Sequence, residues 1–424
     1  MLQDLITANL SGQPRGIYSV CSAHGLVLEA AMEQALADGT PLLIEATANQ
    51  VNQFGGYTGM RPVDFFDYVI TLADGVGLDS ARVLLGGDHL GPVCWQSEPA
   101  ETAMQKARDL IDAYVAAGFS KIHLDCSMPC ADDRLPLADK IIAARAADLC
   151  RVAEEAAKRR GNKSKIVYII GTEVPPPGGA REAIAELEVT APSQARNTIA
   201  LHRAAFEKLG LTEAWQRVIG LVVQPGVEFD HTSVIDYQPA KAEKLKALAE
   251  EAGGIAFEAH STDYQTLQSY RQLVRDHFAI LKVGPQLTFA LREALFALSH
   301  IEEELPGIAQ KSNLRYVCEQ RMRDQPKYWQ AFYKVAAEQL PLYRNYSYSD
   351  RIRYYWPDEE VQQASARLLH NLSDKPIPLP LASQYFPEEY REIREGRLPN
   401  EPHALVKARI RKVTAAYAEA CWKQ

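Results

Sequence analysis

The chain has 424 residues, 47% of them hydrophobic and 24% charged, and a formal net charge of −8. That is ordinary globular composition with length for a large core; no basic stripe marks it for nucleic acid, and no run of about 18 apolar residues marks a membrane span. The seven cysteines are odd in number and scattered, which fits reduced thiols in the cytoplasm and not a disulfide framework. Cys126 and Cys130 lack the second pair of a zinc knuckle, and no basic segment followed by an apolar core marks a secretory signal at the N-terminus.

Residues 1–10 read as a short helix with Leu2, Leu5, Ile6 and Leu10 on one stripe. A first strand, GIYSVC at 16–21, ends at Ser22-Ala23-His24, and a helix follows over 26–36. A second strand, PLLIE at 41–45, runs into a loop holding Asn49, Gln50, Asn52 and Gln53. These amides are either the polar side of a solvated loop or a wall for a polyhydroxylated ligand, since amides donate and accept without charge. After a helix at 64–73, the third strand, 82–86, is closed by Gly86-Gly87 and followed by Asp88-His89-Leu90-Gly91-Pro92. The glycines let another group approach the backbone closely.

A helix at 100–117 leads to strand four, KIHLD at 121–125. Its alternation sets His123 and Asp125 on one face, Ile122 and Leu124 on the other. Asp125 then points inward at the strand's end, and His123 reads as an interior packing residue. A helix at 137–159 precedes strand five, KIVYIIG at 165–171, then Thr172-Glu173 and a stiff VPPPGG loop. A helix at 193–209 precedes strand six, 217–223, which ends at Gln224-Pro225-Gly226. A helix at 240–252 precedes strand seven, 255–259, which ends at His260-Ser261-Thr262-Asp263. A helix at 264–276 precedes strand eight, 278–283, ending at Gly284-Pro285 before an apolar helix at 287–301.

Eight strands, each followed by a helical pattern, predict a (β/α)₈ TIM barrel over residues 1–305. Residues 306–424 mix aromatics and charges in helical patterns and read as an all-helical C-terminal extension packed on the barrel.

Chemistry in such barrels sits at the C-terminal ends of the strands. Here those ends carry His24, Glu45, Asp88-His89, Asp125, Glu173, Gln224, His260-Ser261 and Lys282. His89 and His260 would face each other across the mouth. Glu173 completes a three-ligand set for zinc or a similar divalent cation, with Gln224 as a weaker fourth ligand. Asp88 is placed to move protons at whatever the metal holds. Ser261, Thr262 and the Gly284-Pro285 turn suit a phosphate at a helix N-terminus. Arg351 and Arg353 either pair with a second phosphate, if the extension folds over the mouth, or stitch the extension to the barrel by salt bridges.

The segments NQFGGYTGM (52–60), GGDHLGP (86–92), GTEVPPPGG (171–179), VVQPGVEFDH (222–231), EAHSTDYQ (258–265), VRDHFAILKVGP (274–285) and SDRIRYYWP (349–357) resemble the GatZ/KbaZ family, the Z subunit of D-tagatose-1,6-bisphosphate aldolase. The resemblance runs end to end. It implies kinship with zinc-dependent class II aldolases, with Asp88-His89 as proton carrier and metal ligand, Asp125 on strand four, His260-Ser261 as metal ligand and phosphate loop, and Lys282 at the entry to the phosphate site. Gln224 stands where those aldolases carry a metal histidine. The implied role is a component of the aldolase of tagatose and galactitol catabolism, supporting a separate catalytic Y subunit in cleavage to dihydroxyacetone phosphate and glyceraldehyde 3-phosphate. Two alternatives stay open. One is a stand-alone metal-dependent D-tagatose 6-phosphate 4-epimerase, with Asp88 and Asp125 shuttling the C4 hydroxyl proton; the other is a purely stabilising subunit. A homo-oligomer is equally open. Family members have also been labelled tagatose-6-phosphate kinase, but the sequence holds no GxxxxGK[ST] loop.

Overall fold

The computed structural model describes residues 1–161, 165–171, 187–251 and 253–423. Eight parallel strands close into a barrel: β1 (Ile17–Val20), β2 (Leu42–Thr47), β3 (Val83–Leu90), β4 (Lys121–Leu124), β5 (Val167–Gly171), β6 (Val218–Val222), β7 (Ala256–Ala259) and β8 (Phe278–Val283). They follow one another in chain order around the barrel, and β8 pairs with β1 to complete it. A short antiparallel hairpin, Glu228–Phe229 with Val234–Ile235, lies outside the barrel sheet.

Period-two alternation sorts the side chains. Ile122 and Leu124, like Leu42, Ile44 and Ala46, face the helices and join the large apolar core. The inward residues stack in layers. At the lower end Leu2, Leu5 and Ile6 of the helix Leu2–Leu10 join Ile17, Leu43, Ile169, Ile219, Ala256 and Ile280 in one apolar cluster, so that this helix plugs the barrel. Above it the interior turns from apolar to charged.

One expectation of the fold is corrected. β3 does not stop at Gly86-Gly87 but runs on through Asp88 and His89 to Leu90. Its register against β4 shifts between Gly87 and Leu90, and His89 takes φ 49°. The glycines act by letting groups close: a Cβ on Gly86 would stand 2.7 Å from Glu45 Cγ, and one on Gly91 only 1.7 Å from the Asp125 carbonyl oxygen. The helix Pro402–Trp422 packs on β1 and on the helices Gly25–Asp38, Leu267–Arg275 and Pro285–Glu304. It fills a place in the outer ring. Its Tyr417 stacks 4.0 Å from Tyr270 and 6.0 Å from Tyr18, and Lys407 pairs with Glu29 and Glu33. All seven cysteines are free thiols. Among the described residues no helix is long and apolar enough to cross a membrane.

Candidate active site

Above the apolar layer, Glu45 of β2, Lys121 of β4, Glu258 of β7 and Lys282 of β8 point into the barrel, each at most 4% exposed. Lys121 Nζ lies 2.6 Å from Glu45 and 2.7 Å from Glu258. Lys282 Nζ pairs with Glu45, with Asp88 Oδ1 at 2.8 Å and with Glu258 at 3.5 Å. Taking charges out of water is costly unless they are paired, and these are paired throughout.

On this layer stand three imidazoles. The His89 and His260 rings are 5.0 Å apart, His89 and His123 5.0 Å, and His123 and His260 5.5 Å. Each ring has a nitrogen fixed by a neighbour. His89 Nδ1 is 2.9 Å from Asp125 Oδ2, and His260 Nε2 is 2.9 Å from Glu258 Oε1. His123 Nε2 donates to the Gly171 carbonyl at 2.9 Å, while its Nδ1 lies 3.0 Å from Asp88 Oδ1 and 3.2 Å from the His89 backbone nitrogen. Asp88 Oδ2 is 3.6 Å from His89 Nε2. His89 and Ser261 both hold positive φ, at 49° and 52°. Such backbone costs about 1–3 kcal/mol and gathers at functional sites.

Burial raises the Asp88 carboxyl, but His89, Lys282 and His123 outweigh it and hold the group well below the usual carboxylate range. Burial likewise opposes ionisation of Asp125, and His89, His123 and Ser127 overcome it. Lys282 is held protonated: burial disfavours its charge, and the surrounding Asp88, Glu258 and Glu45 carboxylates more than compensate.

This donor set fits a divalent cation. Ligand atoms of Asp88, His89, His123 and His260 lie within 4.8 Å of one another. Two of the imidazoles are backed by a buried carboxylate, the arrangement that orients metal-binding histidines. The four buried carboxylates Glu45, Asp88, Asp125 and Glu258 exceed the two ammonium groups, Lys121 and Lys282, by two charges.

A cavity of about 360 Å³ opens over Asp88, His89, His260, Ser261 and Lys282, with Asn49 and Gln50 on one side. The extension closes it from above with Lys327, Tyr328, Phe332, Arg351, Arg353 and Tyr354. Arg351 donates to the Tyr328 carbonyl and stacks on Phe332; Arg353 donates to the Ser349 carbonyl and, at 3.1 Å, to the Tyr354 hydroxyl. Among the described residues neither arginine pairs with a carboxylate. Burial pushes Arg351 down to about 10.

Other expected residues lie elsewhere or are engaged by the protein itself. Asp125 is set back behind His89, on a neighbouring hollow that it shares with Ser127, Thr190 and Gln224. The Gln224 side-chain oxygen accepts from the amides of Gly226 and Val227, closing a turn away from the imidazoles. Asn52 closes its own loop through Ala48, Phe54 and Gly56, and Gln53 donates to the Lys106 carbonyl. The Thr262 hydroxyl donates to the Lys282 carbonyl and meets Tyr417. Lys282 has its ammonium among three carboxylates and is not offered to an anion. The Gly284 amide donates to Asp263 Oδ1 at 3.0 Å. Glu173 lies outside the described residues. The sequence reading passed over His123, Lys121, Glu258 as a partner of His260, Asp263 and Tyr354. The signal for His123 was present, since it shares the inward face of β4 with Asp125.

The fold and site together define a (β/α)₈ barrel with a buried histidine–carboxylate centre at the C-terminal ends of its strands. The sequence profile of the D-tagatose-1,6-bisphosphate aldolase subunit GatZ/KbaZ-like family matches residues 2–422. The chain belongs to that family. A crystal structure of a probable tagatose 6-phosphate kinase from Sinorhizobium meliloti is 49% identical, superposes with a TM-score of 0.89, and aligns over 96% of this chain and 100% of its own. The YdjI aldolase of Escherichia coli, 10% identical over 87% of this chain and 96% of its own, and the fructose-bisphosphate aldolase of Campylobacter jejuni, 12% identical over 92% and 93%, both have TM-scores of 0.44.

Proposed function

We propose that this chain itself breaks and re-forms the C3–C4 bond of a phosphorylated ketose of the tagatose class, with a divalent cation, zinc being the first to test. The observation carrying this reading is that the centre is assembled within one chain: three imidazoles and Asp88 beneath a single cavity. A purely stabilising subunit has no use for so costly an arrangement of buried charge. Family membership supports the substrate class and a partnership with a catalytic Y-type subunit in retro-aldol cleavage. The completeness of the site favours a second reading, a stand-alone 4-epimerase.

Asp88 is the cavity carboxylate that stands beside the imidazoles, kept ionised by His89 and Lys282. In this reading it takes the C4 hydroxyl proton. The C3–C4 electron pair then moves toward the C2 carbonyl oxygen, leaving an aldehyde and an enediolate. His89 and His260, oriented by Asp125 and Glu258, and His123 are the groups that would hold the cation. When bound, it would polarise the ketone and stabilise the charge developing there. The aldolase half adds a proton at C3 and releases two trioses. The epimerase half rotates the aldehyde, and C3 attacks its other face. Lys282 is held protonated among carboxylates and offers no lone pair for a Schiff base, and Lys121 lies buried between Glu45 and Glu258, below the cavity. The kinase name of the Sinorhizobium relative is not carried over, because the sequence has no phosphate-cradling nucleotide loop.

The test is the purified chain with zinc, cobalt or manganese, given D-tagatose 1,6-bisphosphate and D-tagatose 6-phosphate separately, with and without a Y-type subunit. Triose phosphates or fructose 6-phosphate are the expected products, lost in Asp88→Asn. No turnover of either sugar under any of these conditions defeats the reading; full activity in Asp88→Asn defeats the site.

A further inference from the structure

The helix Pro285–Glu304 begins at the cavity wall, and its free amides would make a natural seat for an anion. That seat is taken. Asp263 Oδ1 accepts from the Gly284 amide at 3.0 Å and from the Gln286 amide at 2.8 Å. Asp263 is 2% exposed and lines the same cavity as Asp88 and His260. The chain thus supplies its own anion where a phosphate would sit. The cations around the cavity are distributed to match. Lys327, Arg351 and Arg353 all stand on the extension. Among the described residues the remaining lysine of the lining, Lys282, is neutralised by Glu45, Asp88 and Glu258. The barrel wall is therefore anionic and the opposite wall cationic.

We infer that Asp263 makes this site selective for ketoses phosphorylated at one end only. A monophosphate sets its single anion against Arg351 and Arg353 and turns its uncharged end to the barrel. There a terminal hydroxyl can donate to the Asp263 carboxylate. A phosphate at that end meets a buried carboxylate of the same sign, and like charges brought together out of water cost several kcal/mol. The inference rests on the phosphorylated-ketose reading above, and binding separates the two.

Calorimetry on the metal-loaded wild-type chain with D-tagatose 6-phosphate and D-tagatose 1,6-bisphosphate measures the discrimination directly, with or without turnover. At pH 8, where the Asp263 carboxyl is ionised, the monophosphate is expected to bind on the order of 100-fold more tightly. Asp263→Ser frees the two amides and removes the charge, and Asp263→Asn removes the charge while keeping an acceptor for both amides. Both should narrow the gap at least about tenfold, Asp263→Ser the more. Equal or tighter binding of the bisphosphate by the wild type overturns the inference, as does an unchanged ratio in both variants. Binding with the expected ratio but no turnover defeats only the chemistry; binding of neither sugar defeats both.

Discussion

Replacing Asp125 with alanine distinguishes two roles for a carboxylate that never reaches the cavity. Asp125 Oδ2 lies 2.9 Å from His89 Nδ1, and its other oxygen is fixed by the Ser127 amide at 3.1 Å and hydroxyl at 2.6 Å. The carboxylate therefore sets the tautomer and tilt of the ring, leaving the opposite nitrogen beside Asp88. Removing such a partner typically weakens metal binding about 10–100-fold, or roughly 1.4–2.8 kcal/mol. Zinc affinity measured by competition with a chelator, with the cobalt absorption spectrum as a geometric check, should show this loss while the melting temperature of the metal-free chain changes little. Turnover should return at high metal concentration. If the variant binds zinc within a factor of two of wild type, Asp125 does not orient His89. If it binds normally yet stays inactive in excess metal, Asp125 carries a proton after all, and its placement behind the ring has been misjudged.

Lys121→Met leaves Glu45 and Glu258 facing each other in the barrel interior. Unfolding in urea should show a loss of about 3–5 kcal/mol, the usual result of stripping one partner from a buried ion pair. Arg351→Met and Arg353→Met should each raise KM for a phosphorylated ketose about 10–100-fold with kcat nearly unchanged, since a charge-assisted hydrogen bond is worth about 1.5–3 kcal/mol; steady-state kinetics with the unphosphorylated sugar as control reads this. Burial pushes the Asp263 carboxyl up to about 6, against the bonds from Gln286 and Gly284. The native state then holds that proton more tightly than the unfolded chain. Its contribution to stability is full below about pH 4 and is lost as the pH rises to about 6, a change of about 3 kcal/mol at roughly 1.4 kcal/mol per unit. Asp263→Asn should flatten the stability curve across that window.

The barrel was legible because its strands obey one rule twice over. Alternation separates Ile122 and Leu124 from His123 and Asp125, and glycine, proline or polar residues punctuate each strand end. The pairing of His89 with His260 followed from strand-end position alone. What sequence could not give was distance across the barrel. Asp125 and Gln224 share strand ends with the imidazoles, yet one backs a ring and the other closes a turn. Lys282 has the sign of a phosphate ligand, but its neighbours come from β2, β3 and β7, far away in the chain. Asp263 was visible beside His260, but that its carboxylate caps the helix after β8 depends on the packing of two separate segments. The place of Asp88 at the mouth beside His89 and the arrival of Arg351 and Arg353 over it were both anticipated, the latter only on a condition that packing decides.

The position of the helix Pro402–Trp422 against β1 has a consequence for how the molecule is made. The first strand leaves the ribosome long before the helix that covers it, so its apolar flank stays uncovered through most of synthesis. The segment carrying Lys327, Arg351 and Arg353 lies between the barrel strands and that helix in the chain. A nascent chain can thus assemble its lid before its ring is complete. Substitutions at the Tyr417–Tyr270 contact are expected to weaken that last step of assembly more than the barrel itself.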